Sequence, residues 1–177
     1  MSEAVTDSQL LEAAIQQTEA ALARIRAAMD AAEPGDFEHA PPREWSATQI
    51  LHHMTLSHEP YRQALDALNI PAGDGPVRYR WLGKMIRKGL TRGGRVPAPA
   101  RLVPPQGLDL AMVRAEWEQC HIAFAKTLEW LRGKRLSAVS MKNPNLPLFK
   151  IGACDAVAIY AAHLAYHEPQ ILARLSR

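Results

Sequence analysis

The sequence predicts an all-α protein: a single domain built as a four-helix bundle, with a long basic crossover connection between the second and third long helices. Three observations carry this. Four segments repeat apolar residues near the 3.6-residue helical period, no segment reads as a convincing strand, and the interval from Pro71 to Gly107 is dense in proline and glycine. Four long helices imply a bundle. Short loops join antiparallel neighbours, whereas so long a connection points to a crossover. The 177 residues suffice for one domain with a substantial core.

The first helix is expected from about Ser8 to Met29, where Leu10, Leu11, Ile15, Leu22 and Ile25 recur near helical spacing and Glu33, Pro34 and Gly35 end the run. The second is expected from about Ala47 to Asn69. Ser46 caps it, Gln49 three residues later completes a capping box, and Trp45 and Ile50 stand where a hydrophobic staple forms. Its apolar stripe is Ile50, Met54, Tyr61, Leu65 and Leu68. The interval that follows carries one short helical piece near Arg80 to Leu90. It holds no acid between Asp74 and Asp109, but does hold Arg78, Arg80, Lys84, Arg87, Lys88, Arg92, Arg95 and Arg101. That charge reads as a solvated connection, with contact to an anionic ligand, lipid surface or nucleic acid as the functional alternative.

Asp109 is a suitable cap for the third helix, which runs to about Arg132 and stops at Gly133. Met112, Trp117, Phe124, Leu128 and Leu131 form its expected buried stripe, with Trp130 at the edge. A loop with Asn143, Pro144, Asn145 and Pro147 leads to the fourth helix, from about Gly152 to Leu175. Pro60 and Pro169 fall inside helices, each removing a backbone donor and crowding the carbonyl four residues back, so kinks are expected there.

Composition narrows the function. Aromatic residues make up only 6%, which disfavours a surface built on base stacking, and nucleic acid is not an expected partner. Cys120 and Cys154 form no CxxC pair, so zinc knuckles and thioredoxin-like motifs are excluded, and both read as small core residues. Two thiols in so long a chain accord with a reducing compartment. The opening MSEAVTDSQL lacks the basic-then-apolar order of a signal peptide. The most apolar stretch, Ile151 to Tyr166, is broken by Asp155 and His163 and falls short of the roughly 18 to 20 residues that span a bilayer. A cytoplasmic protein without membrane association is expected. A homodimer would suit a helix bundle.

The chemistry resides in the histidines. His163 and His167 lie four apart on the fourth helix, so they share a face with their side-chain bases about 5 to 6 Å apart. Ala156, Ile159, Tyr160, Gln170 and Arg174 occupy the same face, and Ile159 and Tyr160 turn it inward. Neutral imidazoles in an interior need partners for both ring nitrogens. A metal ion satisfies one nitrogen of each ring, and an acceptor behind it the other. The second helix must supply a third ligand. His52 points away from its apolar stripe and reads as solvated. His53 and His58 flank the stripe on either side, and periodicity alone leaves both open.

The segment Trp45-Ser46-Ala47-Thr48-Gln49-Ile50-Leu51-His52-His53-Met54 resembles the DinB-like family of damage-inducible metalloproteins, which carries Trp-Ser and then a histidine eight residues after the tryptophan, followed by an aliphatic residue. The closing His163-Leu164-Ala165-Tyr166-His167-Glu168-Pro169-Gln170-Ile171 is similar to that family's last helix, and Asn143-Pro144-Asn145 with Gly152 to the approach to it. The resemblance implies a four-helix bundle with His53, His163 and His167 as ligands for one divalent ion, zinc or nickel. It also implies relatives that use low-molecular-weight thiols in transfer or isomerisation.

Three neutral histidines leave a divalent ion its full charge and an open position, where water or a thiol becomes a nucleophile without a separate base. The expected function is a metal-dependent transferase acting on a small-molecule thiol and an electrophilic substrate, or a related hydrolase. Gln170, Arg174 and Tyr160 are candidates to bind substrate, and His58, Glu59 and Glu168 to orient the ligands from behind. The rival class is a non-catalytic metal-binding stress or interaction protein.

Overall fold

The computed structural model describes residues 4–92 and 98–176. Among these residues the chain forms six α-helices and one two-stranded sheet. The helices are α1 (Asp7–Ala31), α2 (Pro34–Glu38), α3 (Ala47–Asp66), α4 (Trp81–Thr91), α5 (Leu110–Trp130) and α6 (Ala153–Leu175); the strands are β1 (Ser140–Asn143) and β2 (Leu146–Gly152). The four long helices are the four expected from periodicity, and their starts are set by capping. Ser46 Oγ accepts from Gln49 N while Gln49 returns the bond to Ser46 N, and Asp109 accepts from Met112 N. Thr6 and Gln9 close a second box at the head of α1. Pro60 and Pro169 both sit inside uninterrupted helices.

The most extensive helix pairings are α1 with α6 and α3 with α5, and α3 also lies along α6. The apolar stripes meet in two clusters. One, around Phe124, Leu131, Leu136 and Ile151, fills the end near the hairpin; the other, around Ile25, Phe37, Ile50, Met54, Trp117 and Leu164, fills the opposite end. Trp45 packs against the second cluster, which contains Ile50, as a hydrophobic staple requires.

Three expectations need correction. The loop before α6 contains an antiparallel hairpin, with Ser140 opposite Gly152 and Met141 opposite Ile151. Pro147 and the shortness of β1 hide it, because Pro normally argues against a strand. The basic connection is also more than a solvated loop. Ile70, Leu90 and Leu102 are buried, and Leu82 and Ile86 of α4 pack on the core next to α6. Its charges mostly keep to the outside: Arg78, Arg80, Lys84, Lys88, Arg92 and Arg101 are exposed, and Arg87 lies over the Tyr79 ring. Arg95 lies outside the described residues. Finally, Met112 is 54% exposed, and Val113, fully buried, takes its place in the stripe of α5. No helix among the described residues is long and apolar enough to cross a membrane.

Candidate metal centre

Helices α3 and α6 bring three imidazoles to one point. Nε2 of His163 lies 3.3 Å from Nε2 of His53 and 3.1 Å from Nε2 of His167. One ligand nitrogen from each of the three residues falls within 4.8 Å of the others. Metal–nitrogen bonds of about 2.0–2.1 Å at tetrahedral angles place ligand nitrogens about 3.3 Å apart, a spacing that both distances from His163 match. The alternative that periodicity left open is resolved by position. His53 completes the group, whereas His58 lies on the other side of His163.

Each ring is held from behind. His53 Nδ1 is 2.7 Å from the carbonyl of Leu102, at the end of a single 3-10 turn (Ala100–Leu102). His163 Nδ1 is 2.8 Å from His58 Nε2, and His167 Nδ1 is 3.2 Å from Gln170 Oε1. Such contacts fix the tautomer that leaves Nε2 free to ligate. The Trp45 ring, 4.8 Å from that of His53, and the Tyr166 ring, 4.9 Å from that of His167, restrict the imidazoles further.

The electrostatics favour the neutral form a ligand needs. Burial lowers the pKa of His53, lowers those of His58 and His163 strongly, and brings that of His167 to about 3. The neighbouring imidazoles add to the shifts at His163 and His167, since no two adjacent rings charge readily.

The triad borders a cleft of about 880 Å³ whose wall includes Trp45, Ser57, Tyr61, Leu102 and Asn143. Among the described residues no further His, Cys, Asp or Glu joins the group of ligands. With three such ligands, a four-coordinate ion would keep one position for a group from outside the chain.

The other candidates sit as follows. Tyr160, Gln170 and Arg174 line the cleft, but their polar atoms have protein partners. Tyr160 Oη is 2.8 Å from His121 Nδ1, with its ring stacked on Phe124. Gln170 orients His167. Arg174 donates to the Trp45 carbonyl at 3.1 Å and pairs with Glu44. Helix-face arithmetic places these three residues on the cleft but carries no information about what else they touch. Glu59 pairs with Arg62 and Glu168 with Arg24. His52 is half-buried rather than solvated, and its Nδ1 has no partner.

Sequence reasoning passed over His121. It is fully buried on α5, with Nδ1 on Tyr160, its ring 4.6 Å from that of Trp117, and a pKa that burial brings to about 3. Its position four residues after Trp117 on the buried stripe was the available signal.

A family model described as the DinB superfamily matches residues 11–171. No curated protein and no solved structure matches the chain.

Proposed function

The chain belongs to the DinB superfamily, and from that premise we propose that it is a divalent-metal-dependent transferase that uses a low-molecular-weight thiol, or a related hydrolase. The observation that carries this reading is the open side of the triad: three Nε2 atoms converge at the wall of a large cleft, with no fourth protein ligand among the described residues. Structural metal sites are closed by a fourth protein ligand, whereas catalytic ones keep a position for water or substrate. The rival, a non-catalytic metal-binding stress or interaction protein, finds no such closure here.

Zinc or nickel suits an all-imidazole donor set. A divalent ion there supplies positive charge that acidifies a thiol or water reaching it, so a nucleophile forms near neutral pH. The chain's own part is to hold that charge and shield it. His53, His163 and His167 stay neutral and ligate; Leu102, His58 and Gln170 hold their rings; the apolar wall of Ile50, Ile86, Leu90 and Ile159 gives an electrophile a place out of water. Cys120 and Cys154 are buried, and burial raises both thiol pKa values, that of Cys120 to about 12, so neither serves as nucleophile.

The reading also takes the four long helices as one bundle and one domain, with residues 67–109 as the crossover. It places the protein in the cytoplasm, in keeping with its free buried cysteines.

The test is elemental analysis of protein purified without an affinity tag, wild type beside His163→Ala. One divalent ion per wild-type chain and loss in the variant is the expected result; equal metal in both ends the proposal. Turnover of a panel of electrophiles with candidate thiols follows. Bound metal without turnover across that panel selects the non-catalytic reading.

A further inference from the structure

The hairpin turn sets into the cleft wall a residue, Asn143, with a donor that the fold itself does not use. Asn143, the last residue of β1, is 1% exposed. Its Oδ1 accepts from the backbone N–H of Asn145 at 2.8 Å, from that of Leu146 at 3.1 Å, and from the hydroxyl of Tyr61 at 3.1 Å. Two of these are main-chain amides, which only donate. The orientation of the carboxamide is therefore fixed by chemistry: oxygen toward the turn, nitrogen away from it. Nδ2 is buried and has no acceptor within reach. Buried side-chain donors are nearly always satisfied, and an unsatisfied one asks for a function.

Asn143 belongs to the same cleft wall as Ser57, His58, Tyr61 and His163. The neighbouring amide is already taken, since Asn145 Nδ2 donates to the Ser57 carbonyl at 3.2 Å. The charge around the cleft favours an anion. The Arg101 guanidinium reaches Asn145 Oδ1 at 3.2 Å on the same turn, Arg43 and Arg174 stand in the wall, and the wall's one acid among the described residues, Glu44, is paired with Arg174.

We propose that the Asn143 carboxamide nitrogen is a binding subsite for the carboxylate of a thiol whose sulfur reaches the histidine triad. The inference rests on the metal-dependent reading above and adds to it the second anchor of the ligand. One anchor fixes the sulfur, and the other selects thiols that carry an acid group at the matching distance.

The probe is cobalt-substituted protein, in which a thiolate at the triad gives a charge-transfer band. Mercaptoacetate, mercaptopropionate and mercaptobutyrate are each titrated against the alkanethiol of equal chain length. Wild type is expected to prefer at least one of the acids by about tenfold to a hundredfold, the span of a hydrogen bond to a charged group. Asn143→Asp keeps an oxygen for all three donors of the turn but turns Nδ2 into an acceptor. It should abolish the preference while leaving cobalt uptake and alkanethiol affinity unchanged, and Asn143→Ala, run beside it, should do the same. Equal affinities for acid and alkanethiol at every length, or a preference that survives in whichever variant folds, overturns the subsite. A wild-type protein that takes up no cobalt overturns the metal reading and this inference with it.

Discussion

His58 Nε2 lies 2.8 Å from Nδ1 of His163, so one histidine of the triad is oriented by another histidine rather than by a carboxylate or a carbonyl. With Nε2 of His163 directed at an ion, its Nδ1 keeps the proton and donates to His58 Nε2. The proton of His58 then sits on Nδ1, which has no partner. The ring is held instead by packing against Tyr160 and His121, at 4.7 and 5.4 Å between centroids.

Replacing His58 with Phe fills the volume but removes the acceptor. Metal affinity should fall by about tenfold to a hundredfold, the usual effect of losing a group that orients a ligand, with the helical circular-dichroism signal unchanged. His58→Gln, which restores an acceptor, should recover part of the loss. Competition against a chromophoric chelator measures both, and an unaltered affinity in the Phe variant would mean that His163 needs no support.

His121 gives a pH dependence separate from metal binding. Its pKa is lowered to about 3 in the folded chain by burial, against about 6.5 when unfolded. Between those values the unfolded state binds the extra proton, so stability is full above about pH 6.5 and drains away as pH falls toward 3. The slope from one such histidine is about 1.4 kcal/mol per pH unit. Urea melts of metal-free protein between pH 7 and 5 should therefore show a shallower pH slope in His121→Gln than in wild type, by about that amount. Parallel slopes would place the protonation burden on other groups.

Gly83 tests how α4 is seated. Asp155 Oδ2 accepts from Gly152 N at 2.8 Å and from Arg80 N at 3.0 Å, tying the start of α6 to the start of α4. A Cβ at Gly83 would stand 2.0 Å from Asp155 Oδ1. Helix propensity alone predicts that Gly83→Ala stabilises by about 1 kcal/mol. The clash, against a buried side chain pinned by two backbone donors, should win and destabilise by about 1–3 kcal/mol. Thermal melting decides the sign, and a raised Tm would mean that α4 does not sit on Asp155.

How far the sequence could be read follows from the range of each interaction. The Ser46–Gln49 box and the Asp109 cap form within four residues, and both appear where the sequence places them. The Thr6–Gln9 box is equally local, and it starts α1 at Asp7, one residue before the expected Ser8. The hairpin at residues 140–152 was hidden because its pairing joins segments whose own pattern is weak, and because Lys142/Asn143 carries an irregularity in register.

Local chemistry thus determined the four long helices, their capped ends, and the pair His163 and His167 on one face, because helical period and capping act over a few residues. Helical period left His53 and His58 open and the family resemblance named His53; only the packed chain brought His53 beside His163 and His167, gave Gln170 to His167 and Arg174 to Trp45 and Glu44, and left Asn143 Nδ2 without a partner. Those outcomes depend on which atoms from distant segments come within about 3 Å of one another, and a periodic pattern carries no information at that range.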